Sequence, residues 1–257
     1  MRWRDAEVPF VVVNTPEVDE VVRKWADLDY LHSRLGSRHF RTEVSENNHF
    51  MYWRSVSSYK AKGWKPPTSI KQIDYETWLK NAVVMHNKTL AERQHMYFRV
   101  SDSDAHWIRD ELTFFKPVKG LFLKDPKQQR GIHCRFGMRS VLAEAHYDGS
   151  RNMVAEISGL RRWLLSHPRE CKHLHLFSRD HPSGRHTQVD WSAPDLEAYP
   201  NFRDLLVNEV ILRPGDVLYV PTGWFHQISS LSINTQCNTR SGRDMKYHGD
   251  LVKCGFS

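Results

Sequence analysis

No apolar run in this sequence approaches the roughly 20 residues that a membrane-spanning helix needs, and no membrane association of that kind is expected. The opening residues, MRWRDAEVPFVVV, lack a long apolar stretch ending in a small-residue cleavage site, which argues against a secretory leader. Cysteine is scarce. The four present, Cys134, Cys171, Cys237 and Cys254, are widely scattered and form no CxxC pair. They are expected as free thiols in a reducing, intracellular compartment, cytoplasmic or nuclear, rather than as a disulfide framework or a thiolate zinc site. Low-complexity tracts, internal repeats and linker-like composition shifts are also missing, which excludes a repeat array and favours one compact unit.

What is present is a chain of 257 residues, 40% hydrophobic and 26% charged, the composition of an ordinary globular protein with one sizeable core. Lys and Arg number 37 against 30 Asp and Glu, a net charge of +7. A basic surface favours an acidic or nucleic-acid partner without saying anything about fold. One basic stretch is interleaved with aromatics: SSYKAKGWKPPTSIK, residues 57 to 71. It reads as a solvated loop beside Pro66 and Pro67, with RNA binding through Lys60, Lys62 and Lys65 as the alternative.

Along the chain, VPFVVVN (8–14) reads as a short buried strand. Thr15-Pro16 then caps a helix with Val18, Val21, Val22, Trp25 and Leu28 on one face. A second helix is expected over 74–87 and a short one, capped by Ser or Asp, over 102–112. Strands are expected at 39–45, 49–53 and 95–100. From about residue 118 the texture changes to short strands between Gly and Pro corners: LFLK, IHCRFGM, NMVAEIS, RRWLLSHP, EVILR, DVLYVP and INTQCNT. Such a series suggests a β-sandwich or barrel. The expected division is 1–117, helices and strands packing on a barrel; 118–240, the barrel; and 241–257, a short tail.

Within the barrel stands LAEAHYDGSRNM. Residues i and i+2 on a strand point to the same face, so His146 and Asp148 can offer an imidazole and a carboxylate to one point. PGDVLYVPTGWFHQ supplies a third candidate, His226, after a second corner at Thr222-Gly223. Two His and one carboxylate on one side of a metal form the facial triad of non-haem Fe(II) oxygenases. Alone, an HxD triplet in a chain with 15 histidines is a weak signal; the surrounding stretches strengthen it.

The sequence resembles the JmjC family of cupin-fold, Fe(II)- and 2-oxoglutarate-dependent dioxygenases. It looks most like the asparaginyl hydroxylase that inhibits the hypoxia-inducible factor and related small hydroxylases. The likeness is carried by AEAHYDGSRNMVAEISGLRRWLLSHP, GRHTQVDWSAPDLEAYPNF and LRPGDVLYVPTGWFHQI, and more weakly by PFVVVN, WADLDYLHSRLG and MYWRSV. It implies a mainly β fold with flanking helices: a double-stranded β-helix (jelly-roll, cupin) barrel with an N-terminal α/β extension. It further implies that His146, Asp148 and His226 bind Fe(II), leaving sites for the co-substrates 2-oxoglutarate and O2. The products would be succinate, CO2 and a hydroxylated substrate.

The family usually has Lys on the strand after the metal turn, where this chain has Arg161. Arg161, Trp163 and Leu165 share one strand face, and a charge among apolar residues there calls for an anionic partner. Guanidinium pairs bidentately with carboxylate; Arg162 is the rival. The relative's Thr three residues before the first His is Ala143 here, which leaves room for the larger fork. Tyr97 matches a tyrosine that touches the same carboxylate, with core packing as its other reading. Asn152 and Asn238 match amides near the co-substrate, Asn238 with a shorter spacing from His226.

At the barrel mouth the relative grips asparagine with an Arg-Gln pair, and Arg185-His186 stands there in this chain. Histidine cannot present an amide's paired donor and acceptor, so asparagine specificity does not transfer. The expected substrate is a protein or peptide side chain; N-methyl lysine or arginine demethylation and RNA or tRNA nucleoside hydroxylation are the alternatives. Cys171, His173, His175 and His181 lack zinc spacing and are expected as surface or packing residues. The tail after residue 240 is too short for the relative's two-helix dimerisation module, so oligomerisation by that route is not expected.

Overall fold

In the computed structural model, residues 2–85 and 94–256 are described. After a one-turn helix α1 (Arg2–Asp5), the short strand β1 (Phe10–Val12) leads into α2 (Pro16–Trp25). Thr15 is its N-cap by backbone geometry, without a side-chain bond, and Pro16 fixes the first turn. Val18, Val21 and Trp25 are buried as their spacing requires. Leu28 is not part of that face. It is exposed and opens a separate helix, α3 (Leu28–Leu35), because the Asp27 carboxylate caps the Asp29 and Tyr30 amides and restarts the chain.

Strands β2 (Phe40–Ser45) and β3 (His49–Phe50) follow, the latter shorter than its apolar pattern suggested. The 57–71 stretch is not a plain loop. It forms α4 (Ser57–Ala61) and the start of the edge strand β4 (Ser69–Ile73), because Tyr59 and Trp64 find packing partners. Helix α5 (Tyr75–Val84) is capped by Asp74, and the last two residues of the expected 74–87 helix lie outside the described residues. Strand β5 (His95–Ser101) and helix α6 (Trp107–Glu111) complete this part. The expected Ser or Asp cap of α6 is absent: Ser101 and Asp104 bond each other a turn earlier, and His106 precedes the helix.

The barrel comprises β6 (Gln129–Gly137), β7 (Leu142–Tyr147), β8 (Asn152–Ser158), β9 (Arg161–Ser166), β10 (Asn208–Leu212), β11 (Val217–Val220), β12 (Phe225–Ser230) and β13 (Asn234–Ser241). LFLK forms no strand. Two sheets face each other, ordered β1-β11-β8-β13-β6-β5-β2-β4 and β10-β9-β12-β7-β3. Four strands of each make the jelly-roll, and every pairing is antiparallel except β3 with β7. The strands from the first hundred residues extend both sheets through β5 on β6 and β3 on β7. Between the sheets lie Val154, Trp163, Leu165, Leu218, Val220 and Ile228.

The cysteines correct the expectation of free thiols. Cys134 is bonded to Cys237, and Cys171 to Cys254. Spacing along the chain did not reveal this, because β6 and β13 pair in a register that sets Cys134 directly opposite Cys237. The second pair ties the 168–173 turn to helix α7 (His248–Lys253). Among the described residues, no helix is long and apolar enough to cross a membrane.

Candidate active site

His146 lies near the end of β7 and His226 near the start of β12, and the register of these strands puts the two residues directly opposite one another. Asp148 follows one residue beyond β7. One donor atom from each of the three lies within 4.8 Å of the others, and His226 Nε2 is 4.0 Å from Asp148 Oδ2. The backbone orients both imidazoles. His146 Nδ1 donates to the Glu144 carbonyl at 2.7 Å, and His226 Nδ1 to the Trp224 carbonyl at 3.0 Å. That tautomer leaves each Nε2 lone pair facing the common point. Burial holds both rings below the usual histidine range, so both are neutral.

Burial alone pushes the Asp148 carboxyl up, but Arg240 and the two imidazoles outweigh it and hold the group well below the usual carboxylate range. Arg240 donates to Asp148 Oδ2 through Nε at 2.9 Å and Nη2 at 2.8 Å. A chain of amides continues outward from the same oxygen. Asn152 Nδ2 reaches it at 3.4 Å, Asn238 Nδ2 donates to Asn152 Oδ1 at 2.8 Å, and Arg135 Nη1 donates to Asn238 Oδ1 at 2.6 Å. Asn152 and Asn238 are thus brought together, one sphere behind the carboxylate.

The three residues face a cavity of about 370 Å³, also lined by Ala143, Trp163 and Ile228. Arg161 is fully buried behind Tyr97, whose hydroxyl accepts from Nη1 at 2.9 Å; Nε donates to Asn234 Oδ1. Its Nη2 has no partner. Gly137 makes room for this fork, since a Cβ there would lie 2.9 Å from Nη2. Arg162 points outward onto Glu209 at 2.6 Å, so the alternation expected for LRRWLL holds. Tyr97 both packs edge-on against Phe50 and holds Arg161.

At the mouth, His186 is buried and stacked on His146 with ring centroids 4.9 Å apart, and burial pushes it down to about 4. Arg185, at φ 75°, sits beside it and reaches the Tyr147 carbonyl at 3.4 Å. His173, His175 and His181 are packing residues: His173 bonds the Asn201 carbonyl, His175 packs on Tyr199 and His181 stacks on Phe177.

Sequence reasoning missed four arginines that line the cavity: Arg99, Arg130, Arg135 and Arg240. Arg99 and Arg135 are direct cross-strand partners, a like-charge pair that the buried Glu43 carboxylate, 2.7 Å from Arg99 Nη2, partly offsets. Burial, with Arg99 and Arg240 nearby, pushes Arg135 down to about 9. Arg240 was findable, two residues after Asn238 on the same strand face. Beyond the cavity, His49 bridges two carboxylates, Glu144 through Nδ1 and Asp190 through Nε2 at 3.9 Å, clamping β3 to β7 and to the segment after His186.

Residues 3–240 match the family described as Cupin-like domain. The chain is similar to the tRNA wybutosine-synthesizing protein 5 of Danio rerio, 25% identical over 248 residues, 90% of this chain and 67% of that protein. It is also similar to the Jumonji C domain-containing protein 5 of Drosophila melanogaster, 22% identical over 88% of this chain and 52% of that protein. Over 103 residues it is 30% identical to the lysine-specific demethylase 8 of Xenopus tropicalis, 40% of this chain and 23% of that protein. The chain thus spans two thirds of the first relative, about half of the second and less than a quarter of the third. The names of the first and third point to tRNA and to lysine demethylation, the two alternatives to the protein side-chain hydroxylation that the sequence likeness favoured.

Proposed function

The chain belongs to the Cupin-like domain family as a JmjC-type cupin, and from that premise we propose that it is an Fe(II)- and 2-oxoglutarate-dependent oxygenase acting on a nucleoside in RNA. The observation that carries the oxygenase reading is the convergence of two neutral imidazoles and one ionised carboxylate on a single point of a cavity wall. That donor set suits iron. The unpartnered Arg161 Nη2, buried behind Tyr97, suits the far carboxylate of 2-oxoglutarate. When bound, iron with 2-oxoglutarate and dioxygen supplies the chemistry that places one oxygen atom in a C–H bond and releases succinate and CO2.

The chain's own residues divide the remaining work. His146, Asp148 and His226 hold the metal, with their orientation set by two backbone carbonyls and by Arg240. Arg161 and Tyr97, bonded to each other, would anchor a carboxylate of the co-substrate. Asn152 and Asn238 steady the Asp148 side of the site. Arg185 and His186 stand where a substrate enters, and His186 does so uncharged.

Charge chooses among substrates. Arg99, Arg130, Arg135, Arg185 and Arg240 line the cavity against only two carboxylates, Glu43 and Asp148. Iron and the co-substrate dianion cancel one another, so the mouth stays cationic with both bound. A methylated lysine or arginine would meet like charge there, which disfavours demethylation. A polyanion is attracted instead. This shifts the reading from the protein side chain favoured by the sequence likeness to RNA, in keeping with a relative named for tRNA modification.

The test is incubation of the full chain with Fe(II), 2-oxoglutarate, and an RNA pool or a peptide pool. Succinate release and the mass gain of one oxygen are expected in the RNA pool with the wild type, and neither with His226→Ala. Oxygen gain confined to the peptide pool would remove the RNA reading. Equal succinate release by the His226→Ala variant would remove the oxygenase site.

A further inference from the structure

Beside the active-site mouth lies a second pocket of about 330 Å³, lined by Tyr52, Arg54, Tyr147, Arg179, Arg185 and Phe256 among others. We infer that it is the subsite for the nucleotide adjoining the target in a single-stranded RNA. This rests on the RNA reading above and extends it from one nucleoside to the strand that carries it.

Tyr52 and Arg185 line both spaces, so the two pockets share a wall and one strand can pass from the first to the second. Three guanidinium groups line the second pocket, and among its described lining residues none is acidic. Arg54 and Arg185 bring positive charge to one hollow, and such a hollow attracts an anion. The arginines are placed by backbone rather than left loose. The Arg54 amide donates to the Pro182 carbonyl at 3.0 Å, and its Nη2 to the Arg179 carbonyl at 3.3 Å. The tight turn holding Arg185 needs Gly184, since a Cβ there would lie 2.8 Å from the Arg179 carbonyl oxygen.

An anion site alone would serve any phosphate. Tyr52 narrows the choice. It is a large aromatic side chain, 49% exposed, standing on the wall between the pockets. A ring there offers a stacking face to a base, while the arginines beyond take the phosphate.

The basic stretch singled out in the sequence continues the same surface. Tyr59 and Trp64 pack on His181, with centroids 5.1 and 6.1 Å apart, two residues from Arg179. The same stretch carries the exposed Lys60, Lys62 and Lys65. Cations thus run from the metal cavity, through Arg185, Arg54 and Arg179, to α4. A run of phosphates matches that layout, whereas a single phosphorylated side chain would use only one part of it.

The experiment is fluorescence anisotropy with a short single-stranded RNA oligomer and, separately, a nucleoside 5′-monophosphate. The full chain is held anaerobically with Fe(II) and 2-oxoglutarate. Tyr52→Ala and Arg54→Gln should each weaken oligomer binding by about tenfold, with little effect on the monophosphate. Arg54→Gln should also lower the slope of log affinity against log salt by about one. Arg130→Gln, in the first cavity alone, should weaken both ligands. Melting curves of the three variants, all at exposed positions, establish that the fold is intact.

Oligomer affinity unchanged by Tyr52→Ala and Arg54→Gln, but lowered by Arg130→Gln, would overturn the second subsite and leave the RNA reading standing. No oligomer binding by the wild type at low salt would remove the RNA reading itself. A phosphoserine peptide that binds as tightly as the oligomer, with Tyr52→Ala silent, would overturn the nucleotide assignment in favour of a bare phosphate site.

Discussion

Replacing Arg161 by alanine tests the two halves of the proposed site separately, because Arg161 is the proposed anchor of the co-substrate and bonds Tyr97 and Asn234 rather than His146, Asp148 or His226. The guanidinium is fully buried, with one nitrogen on Tyr97, one on Asn234 and one unpartnered. Removing one member of a buried, hydrogen-bonded ion pair costs about 3–5 kcal/mol. Each 1.4 kcal/mol or so is tenfold in affinity. The apparent Michaelis constant for 2-oxoglutarate should therefore rise by about a hundredfold or more.

The fold should survive this substitution. Burial pushes the neighbouring Glu156 carboxyl well above the usual range, with Arg161 opposing, so losing the arginine leaves a neutral acid rather than a stranded charge. Arg161→Lys should recover part of the loss, since an ammonium is a point charge and not a fork. Adding Ala143→Thr to it should recover more, because Ala143 lines the cavity together with Tyr97, the hydroxyl partner of Arg161. Arg162→Ala, which frees only a surface contact with Glu209, should be nearly silent. The assay is succinate release against 2-oxoglutarate concentration, with metal binding followed separately by the Mn(II)-induced shift in melting temperature. A Michaelis constant within about threefold of wild type in Arg161→Ala would refute the assignment.

Two further outcomes are expected. Arg240→Ala should weaken metal binding by about 10- to 100-fold, the usual effect of losing a partner that orients a ligand. The Mn(II) concentration giving half the melting shift measures this, and an unchanged value would show that Asp148 is positioned without Arg240. His49→Gln should flatten the dependence of stability on pH. The Glu144 carboxylate raises His49 above the usual histidine range, against the effect of burial, so its contribution is complete below about pH 6.5 and fades as pH rises through the higher folded value. Melting temperatures at mildly acidic and alkaline pH should thus converge in the variant; an undiminished difference would place the pH dependence elsewhere.

The cluster of His146, Asp148 and His226 was legible in the sequence because its determinants are local. A two-residue alternation brings His146 and Asp148 to one side, and Gly-Pro corners announce the strand that bears His226. Alternation also turned Arg161 inward and Arg162 outward, as the structure bears out. Helix α2 was readable from its three- and four-residue spacing and from Pro16. What the chain order concealed was everything that sheet register creates. Arg99, Arg135 and Arg240 lie on three strands far apart in sequence, yet β5, β6 and β13 are neighbours in one sheet, so their charges collect around one cavity. The same register joins Cys134 to Cys237 across 103 residues. Long-range packing likewise gave a stretch read as a solvated loop its partners: Tyr59 and Trp64 pack on His181, more than a hundred residues away in sequence. Periodicity tells which way a side chain points from its own strand, while the strand beside it is chosen by burial and hydrogen bonding summed over the whole barrel.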